Sequence, residues 1–159
     1  MNLKQTQDNL EIKTTGEGLT DITPLINKWL KETGFIYGVI HLMVLHTSCS
    51  LTINENADPR VLEDLSQYFR AIVPEEGLNS LKEPFQNIKY KHSEEGLDDM
   101  PAHIKTSLTN TCLSLSIKDS KVILGTWQAV YLWEHRYQNN LRRINIHGIG
   151  QISSHRHSI

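Results

Sequence analysis

The sequence predicts one α+β domain built mainly on antiparallel sheet, with two or three helices. Three observations carry that expectation. Short runs with the period of a strand recur at residues 10–14, 37–45 and 51–54, and again from Leu113 onward. Two stretches between them set apolar residues at helical spacing behind a proline. The closing strands follow one another without helices, so they do not have the strand–helix alternation of a parallel sheet.

Leu10 and Ile12 alternate with Glu11 and Lys13, as in a half-buried strand, until Gly16-Glu17-Gly18 breaks the pattern. Residues 19–24 read as a helix start, with Thr23 as N-cap and Pro24 at the first helical position. Leu25, Ile26, Trp29 and Leu30 then share one face, and Thr33-Gly34 stops the helix. The continuous run at 37–45 is expected to be a strand buried on both faces. It leads through His46-Thr47-Ser48-Cys49-Ser50 into the strand at 51–54. Asp58 as N-cap and Pro59 behind it open a second helix. Its Val61, Leu62, Leu65, Tyr68, Phe69 and Ile72 keep the helical period until Pro74 ends it.

Residues 74–89 are polar and turn-rich, a loop with a short helical turn. Asp99 is placed to cap a third helix from about Pro101 to Leu108, with Asn110 ending it. Leu113, Leu115 and Ile117 alternate with serines, residues 118–121 turn, and 122–127 return as the second arm of a hairpin. Residues 130–134 and 144–149 add two strands, expected to pair locally as a meander. Residues 151–159 read as a frayed tail.

The 159 residues fit a single domain, and 38% hydrophobic with 21% charged residues is a globular balance. A formal charge of −2, with eight histidines neutral, leaves no basic footprint for nucleic acid and no pull toward an acidic membrane. No run approaches the roughly 18 apolar residues of a membrane span. Residues 1–16 lack the apolar core of a signal peptide. Cys49 and Cys112 are too few for a disulfide framework. The expectation is a cytoplasmic protein with reduced thiols.

Several places have the residue types that chemistry needs. His92 to His103 gathers two histidines with Asp98 and Asp99, and Glu94 and Glu95 nearby. A bent loop feeding a helix can aim such donors at one divalent ion. The plainer alternative is that Asp99 only caps the helix and both histidines are ordinary surface residues. His46-Thr47-Ser48-Cys49-Ser50, at a strand end, offers hydroxyls and an imidazole for a phosphate, or a Ser–His or Cys–His pair. Cys49 reads as a small buried residue. Asn54 to Pro59 leads into a helix start, where an anion site competes with simple capping by Asp58. Trp127 reads as core, and Glu134 with Arg136 as a surface cross-strand pair. His155-Arg156-His157 has the composition of a metal tract on a tail that would hold ligands poorly.

Three ordered motifs resemble the YjbQ-like family, also called secondary thiamine-phosphate synthase. They are His46-Thr47-Ser48-x-Ser50-Leu51-Thr52-Ile53-Asn54-Glu55-Asn56, Asp98-Asp99-Met100-Pro101-Ala102-His103 and Leu124-Gly125-Thr126-Trp127-Gln128. The likeness spans about residues 10–150. It implies a sandwich-like pair of sheets in a homotrimer, and a polar pocket for a metal ion or a phosphate-like anion. It assigns Asp98, Asp99, His103 and His46 as catalytic, and His92, Asp98, Asp99 and His103 as metal ligands. Thr47, Ser48, Asn54, Glu55, Asp58, Trp127 and Gln128 would bind substrate. The implied activity joins a pyrimidine diphosphate to a thiazole phosphate with loss of pyrophosphate, helped by zinc or magnesium. Cys49 stands where the family commonly has a smaller residue such as Ala. The alternatives are a non-catalytic metal or small-molecule binder, and a structural trimer whose polar residues tie loops together.

Overall fold

The computed structural model describes residues 3–80, 82–83 and 86–153. In chain order the elements are β1 (Leu3–Thr15), β2 (Gly18–Asp21), α1 (Thr23–Thr33), β3 (Phe35–Val44), β4 (Cys49–Glu55), α2 (Pro59–Ile72), β5 (Leu78–Asn79), β6 (Asn87–Ile88), α3 (Asp99–Leu108), β7 (Cys112–Lys118), β8 (Lys121–Val122), β9 (Gln128–Glu134) and β10 (Asn139–Ile152). A five-stranded sheet runs in the order β1-β10-β3-β7-β8 and a three-stranded one in the order β2-β9-β4. Neighbouring strands are antiparallel throughout. The fold is the expected α+β class with three helices. Among the described residues no helix is long and apolar enough to cross a membrane.

The two sheets share one apolar cluster. Leu10, Ile12, Ile40, Leu42, Ile144 and Ile146 from the large sheet meet Leu51, Val130 and Leu132 from the small one. Ile26, Trp29 and Leu30 of α1 join the same cluster. The helix ends as its sequence dictates. Gly34 takes the left-handed conformation at φ 81°, and its N–H reaches Leu30 O and Lys31 O. Asp58 caps α2, its carboxylate accepting from Arg60 N–H at 3.0 Å.

Several expectations are corrected by tertiary partners. Residues 18–21 are a strand, because Leu19 and Asp21 pair with Trp133 and Tyr131 of β9. Thr23 does not cap α1: its hydroxyl accepts from Val130 N–H at 2.9 Å, holding the helix start against β9. β3 is buried on one face only, with Tyr37, Val39 and Met43 about half exposed on the other. Its outer residues have no covering layer among the described residues. Residues 74–89 contribute a two-residue ribbon, Leu78 opposite Ile88 and Asn79 opposite Asn87. β8 is only two residues long, since Gly125 N–H turns to the Gln128 side chain at 2.7 Å. No closing meander forms: β9 sits between β2 and β4, and β10 between β1 and β3. Residues 151 and 152 belong to β10, and His155 and His157 lie outside the described residues.

α3 begins at Asp99, not at Pro101, with Asp98 in the N-cap position and no side-chain cap bond. The Asp98 carboxylate is turned elsewhere. It accepts from Arg136 Nε at 3.0 Å and from Tyr137 N–H at 2.8 Å.

Candidate metal centre

The first turn of α3 puts Asp99 and His103 on one face, four residues apart. His92 arrives from the preceding loop. His92 Nε2 lies 2.6 Å from Asp99 Oδ2, and His103 Nε2 lies 3.7 Å from the same oxygen. The three donor atoms fall within 4.8 Å of one another. Asp99 Oδ2 is buried and accepts no aligned hydrogen bond, although two imidazole nitrogens face it. The other carboxylate oxygen accepts from Arg136 Nη1. The carboxylate is thus anchored on one oxygen and open on the other.

His103 is oriented by the chain. Its Nδ1 lies 2.9 Å from Thr47 O. A carbonyl only accepts, so Nδ1 carries the hydrogen and the ring presents Nε2 toward Asp99. The loop that supplies Thr47 is itself tied down. His46 Nε2 accepts from Arg143 N–H at 2.8 Å. Burial and then the Arg142 charge hold His46 below the ordinary imidazole range, which keeps it a neutral acceptor. Ser48 Oγ accepts from Arg142 Nη2 at 3.0 Å, and Ser48 O accepts from His135 N–H at 3.3 Å.

Beneath the loop lies a closed ionic network. Glu134 is fully buried at the end of β9. Its carboxylate accepts from Arg142 Nε at 2.6 Å and from the Thr14 hydroxyl at 2.8 Å. It also accepts from the backbone N–H groups of His135 and Arg136, each at 3.1 Å. Through Arg142 this carboxylate fixes the 46–48 loop, and through the backbone it aims Arg136 at Asp98 and Asp99. Burial alone would raise Asp98, but the Tyr137 N–H and Arg136 outweigh it and hold the group below the usual carboxylate range.

The structure therefore sorts the expected site residues into groups. His92, Asp99 and His103 converge, with Thr47 contributing its carbonyl. Asp98 stands beside them, committed to Arg136, while His46 and Ser48 hold the loop. Asn54, Glu55 and Gln128 lie at the opposite end of the β4–β9 ladder, where Glu55 pairs with Gln128 and Cys49 with Glu134. That is about 20 Å away at the rise of a strand. Trp127 is 65% exposed, not core. Asp58 is occupied by α2 and Arg60. Glu134 and Arg136, expected on the surface, are buried. Burial pushes the Cys49 thiol up to about 12, so it is no nucleophile at neutral pH. Ser50 Oγ meets His135 Nε2 at 2.9 Å, not His46.

Reading the residues in sequence placed Glu134 and Arg136 on the surface and missed Arg142. One signal was available: residues 129–133 are an unbroken apolar run, so the charges that follow it start from inside the protein. Beside His92 a cavity of about 180 Å³ opens, lined by Glu75, Glu76, Lys89, Tyr90 and Gly96 among others.

An antiparallel two-sheet domain with a surface-accessible His/Asp donor cluster is the class of protein that this architecture defines. The chain belongs to the UPF0047 YjbQ-like family, whose model matches residues 8–151. A UPF0047 protein of Synechocystis is 42% identical over 149 residues, 94% of this chain and 95% of the relative. The UPF0047 protein YjbQ of Escherichia coli O157:H7 is 43% identical over 139 residues, 87% of this chain and 93% of the relative. A solved YjbQ/UPF0047 family protein from Clostridium acetobutylicum, itself uncharacterised, superposes with a TM-score of 0.73 at 31% identity, covering 92% of this chain and 99% of that one. A Sulfolobus solfataricus protein of unknown function shares the fold with a TM-score of 0.78 at 19% identity, covering 94% of this chain and all of the other.

Proposed function

We propose that the chain is a metal-dependent enzyme acting on a small phosphorylated substrate, with His92 Nε2, Asp99 Oδ2 and His103 Nε2 as the protein ligands. The observation that carries this reading is the Asp99 oxygen: buried, without an aligned donor, and faced by two imidazole nitrogens. A buried carboxylate oxygen left in that state is costly unless a cation completes it. Two imidazoles and one carboxylate suit zinc or a similar transition ion better than magnesium, which prefers oxygen ligands and water. Three protein ligands leave positions open for a substrate oxygen. When bound, such an ion supplies Lewis-acid charge for a departing phosphate or diphosphate. The protein's own part is to anchor Asp99 through Arg136 and to fix the His103 tautomer through Thr47 O. Thiamine-phosphate synthesis, with pyrophosphate as the leaving group, is the reaction to assay first.

A second reading, a non-catalytic metal-binding protein, is favoured by one feature. The cavity beside His92 is lined by Glu75 and Glu76 as well as Lys89, a poor setting for a phosphate without a metal to offset the charge. In either reading we take the assembly to be a homotrimer, the half-exposed apolar residues Tyr37, Val39 and Ile149 on the outer face of the large sheet being the surface it would cover.

Metal content of the purified, reconstituted protein is the deciding measurement. About one divalent ion per chain is expected, falling at least tenfold in affinity in His103→Ala. A wild-type protein that retains no divalent ion ends both readings. Metal retention with no turnover of any phosphorylated substrate leaves the second.

A further inference from the structure

The outer face of the large sheet gathers soft donors in adjacent positions. Alternation along the strands sends Leu42 and Val44 of β3, Leu113 and Leu115 of β7 and Ile146 of β10 toward the core. His41, Met43, Cys112 and His147 therefore lie on the other face. Strand pairing sets their order. Met43 stands directly opposite Cys112 of β7, and His41 stands opposite Ser114 on one side and His147 of β10 on the other. Opposed residues have Cβ atoms about 5 Å apart, and diagonal neighbours such as His41 and Cys112 about 7–8 Å, within reach of long side chains. An imidazole, a thioether and a thiol thus hold three corners of one surface patch, with a second imidazole beside it.

Their present contacts leave ligand atoms available. His41 Nδ1 lies 3.1 Å from Ser114 Oγ, which draws the ring toward β7, the strand that carries Cys112. His41 Nε2 has no hydrogen-bond partner among the described residues. Cys112 is an exposed free thiol, and Met43 is about half exposed. Asn145, opposite Met43 on β10, spends its amide on β1: its oxygen accepts from Gln7 Nε2 at 3.1 Å and its nitrogen donates to Asp8 O at 3.1 Å. His147 Nε2 lies 2.8 Å from Gln5 Nε2, which leaves Nδ1.

The donor set names the ion. β3, β7 and β10 contain no aspartate or glutamate, so calcium and magnesium find no carboxylate here. Zinc accepts imidazole and thiolate, but it does not ordinarily recruit a thioether. Thiolate with thioether is a donor pair that selects monovalent copper. We propose that His41, Met43 and Cys112, with His147 as a fourth donor, form a Cu(I) site that shares no residue with the His92–Asp99–His103 cluster. His41 binds through Nε2 while Nδ1 keeps Ser114, the kind of outer contact that orients a ligating imidazole. The ladder fixes the spacing of the four residues, and binding asks only for rotation of surface side chains.

Anaerobic titration of the full-length, reduced protein with Cu(I), in competition with the chromophoric chelator bicinchoninate, tests the site. Saturable withdrawal of about one ion per chain from the chelator is expected. Met43→Leu keeps the side-chain volume and removes the thioether, and Cys112→Ser removes the thiol. Each should weaken Cu(I) binding at least about tenfold, and His41→Gln should do the same. The three side chains are exposed, so the thermal midpoints of these variants should match wild type. His103→Ala should bind Cu(I) as wild type does, which separates this site from the other metal centre. A wild type that takes no Cu(I) from the chelator, an affinity indifferent to both Met43→Leu and Cys112→Ser, or a loss of binding in His103→Ala would each overturn the proposal.

Discussion

Glu134 has no contact with solvent, and two arginines and a histidine depend on it directly or through their backbone. Replacing it by Gln keeps the shape but leaves the buried Arg142 without its counter-charge. The expected cost is roughly 3–5 kcal/mol, read as a lower midpoint of urea unfolding, because an unpaired buried charge is worse than no pair at all. His135 makes a prediction of opposite chemistry. Burial first, then the charges of Lys105 and Arg142, hold its imidazole down to about 3. The unfolded chain takes up this proton near pH 6.5 and the folded one does not. Stability is therefore fully present above pH 6.5 and declines below it, by roughly 1.4 kcal/mol per pH unit from this residue until its folded value is reached. His46, lowered in the same direction, adds to the slope. Unfolding midpoints between pH 7 and 5, before carboxylates titrate, should fall in wild type and fall less in His135→Gln. A flat profile would refute the buried neutral imidazole.

Among the elements, the antiparallel pairing of β3 with β10 leaves no room for a side chain at its glycines. Gly38 pairs with Gly150 in register. Gly38 has φ 149°, and a Cβ there would lie 2.2 Å from Ile149 O. A Cβ on Gly150 would lie 2.0 Å from Tyr37 O. Backbone atoms cannot step aside as a side chain can, so Gly38→Ala should cost about 2 kcal/mol or more through both strain and displacement of the ladder. A thermal midpoint unchanged within 1–2 °C would show that β10 can shift its register at little cost. α2 presents the reverse situation. Its apolar residues keep a clear helical period, yet none is fully buried within the chain. Val61, Leu62, Leu65 and Phe69 are half-buried along one face, and Phe69 meets Trp133 edge-on at 4.7 Å.

For the whole molecule, the outer face of the large sheet decides what happens between copies. Tyr37 and Val39 on β3, with Ile149 opposite Val39 on β10, form a half-exposed apolar patch, and Met43 lies beyond exposed His41, which pairs with His147. If the homotrimer forms through that patch, Val39→Asp should lower the sedimentation mass toward one chain of 18.2 kDa. A wild type already sedimenting as a monomer would rule the trimer out. The proposed metal ligands need no such assembly to meet, since His92, Asp99 and His103 come from one chain.

Local rules determined much of this protein. Period and capping set the helix after Pro59 and its Asp58 cap, the Gly34 stop, the strand at 112–118 and the α+β class, because each depends on residues within a few positions. The His92–His103 motif was visible as a set of donors, for spacing alone can bring i and i+4 together on a helix. Only the tertiary structure decided which donors meet. Asp98 turned to Arg136, Gln128 went to the far end of the ladder, and Thr23 served β9 in place of its own helix. Each of those outcomes depends on a partner between 38 and 107 residues away in sequence, or on strand order. Pairing over such distances is fixed by burial of the whole sheet, and no window of neighbouring residues contains it.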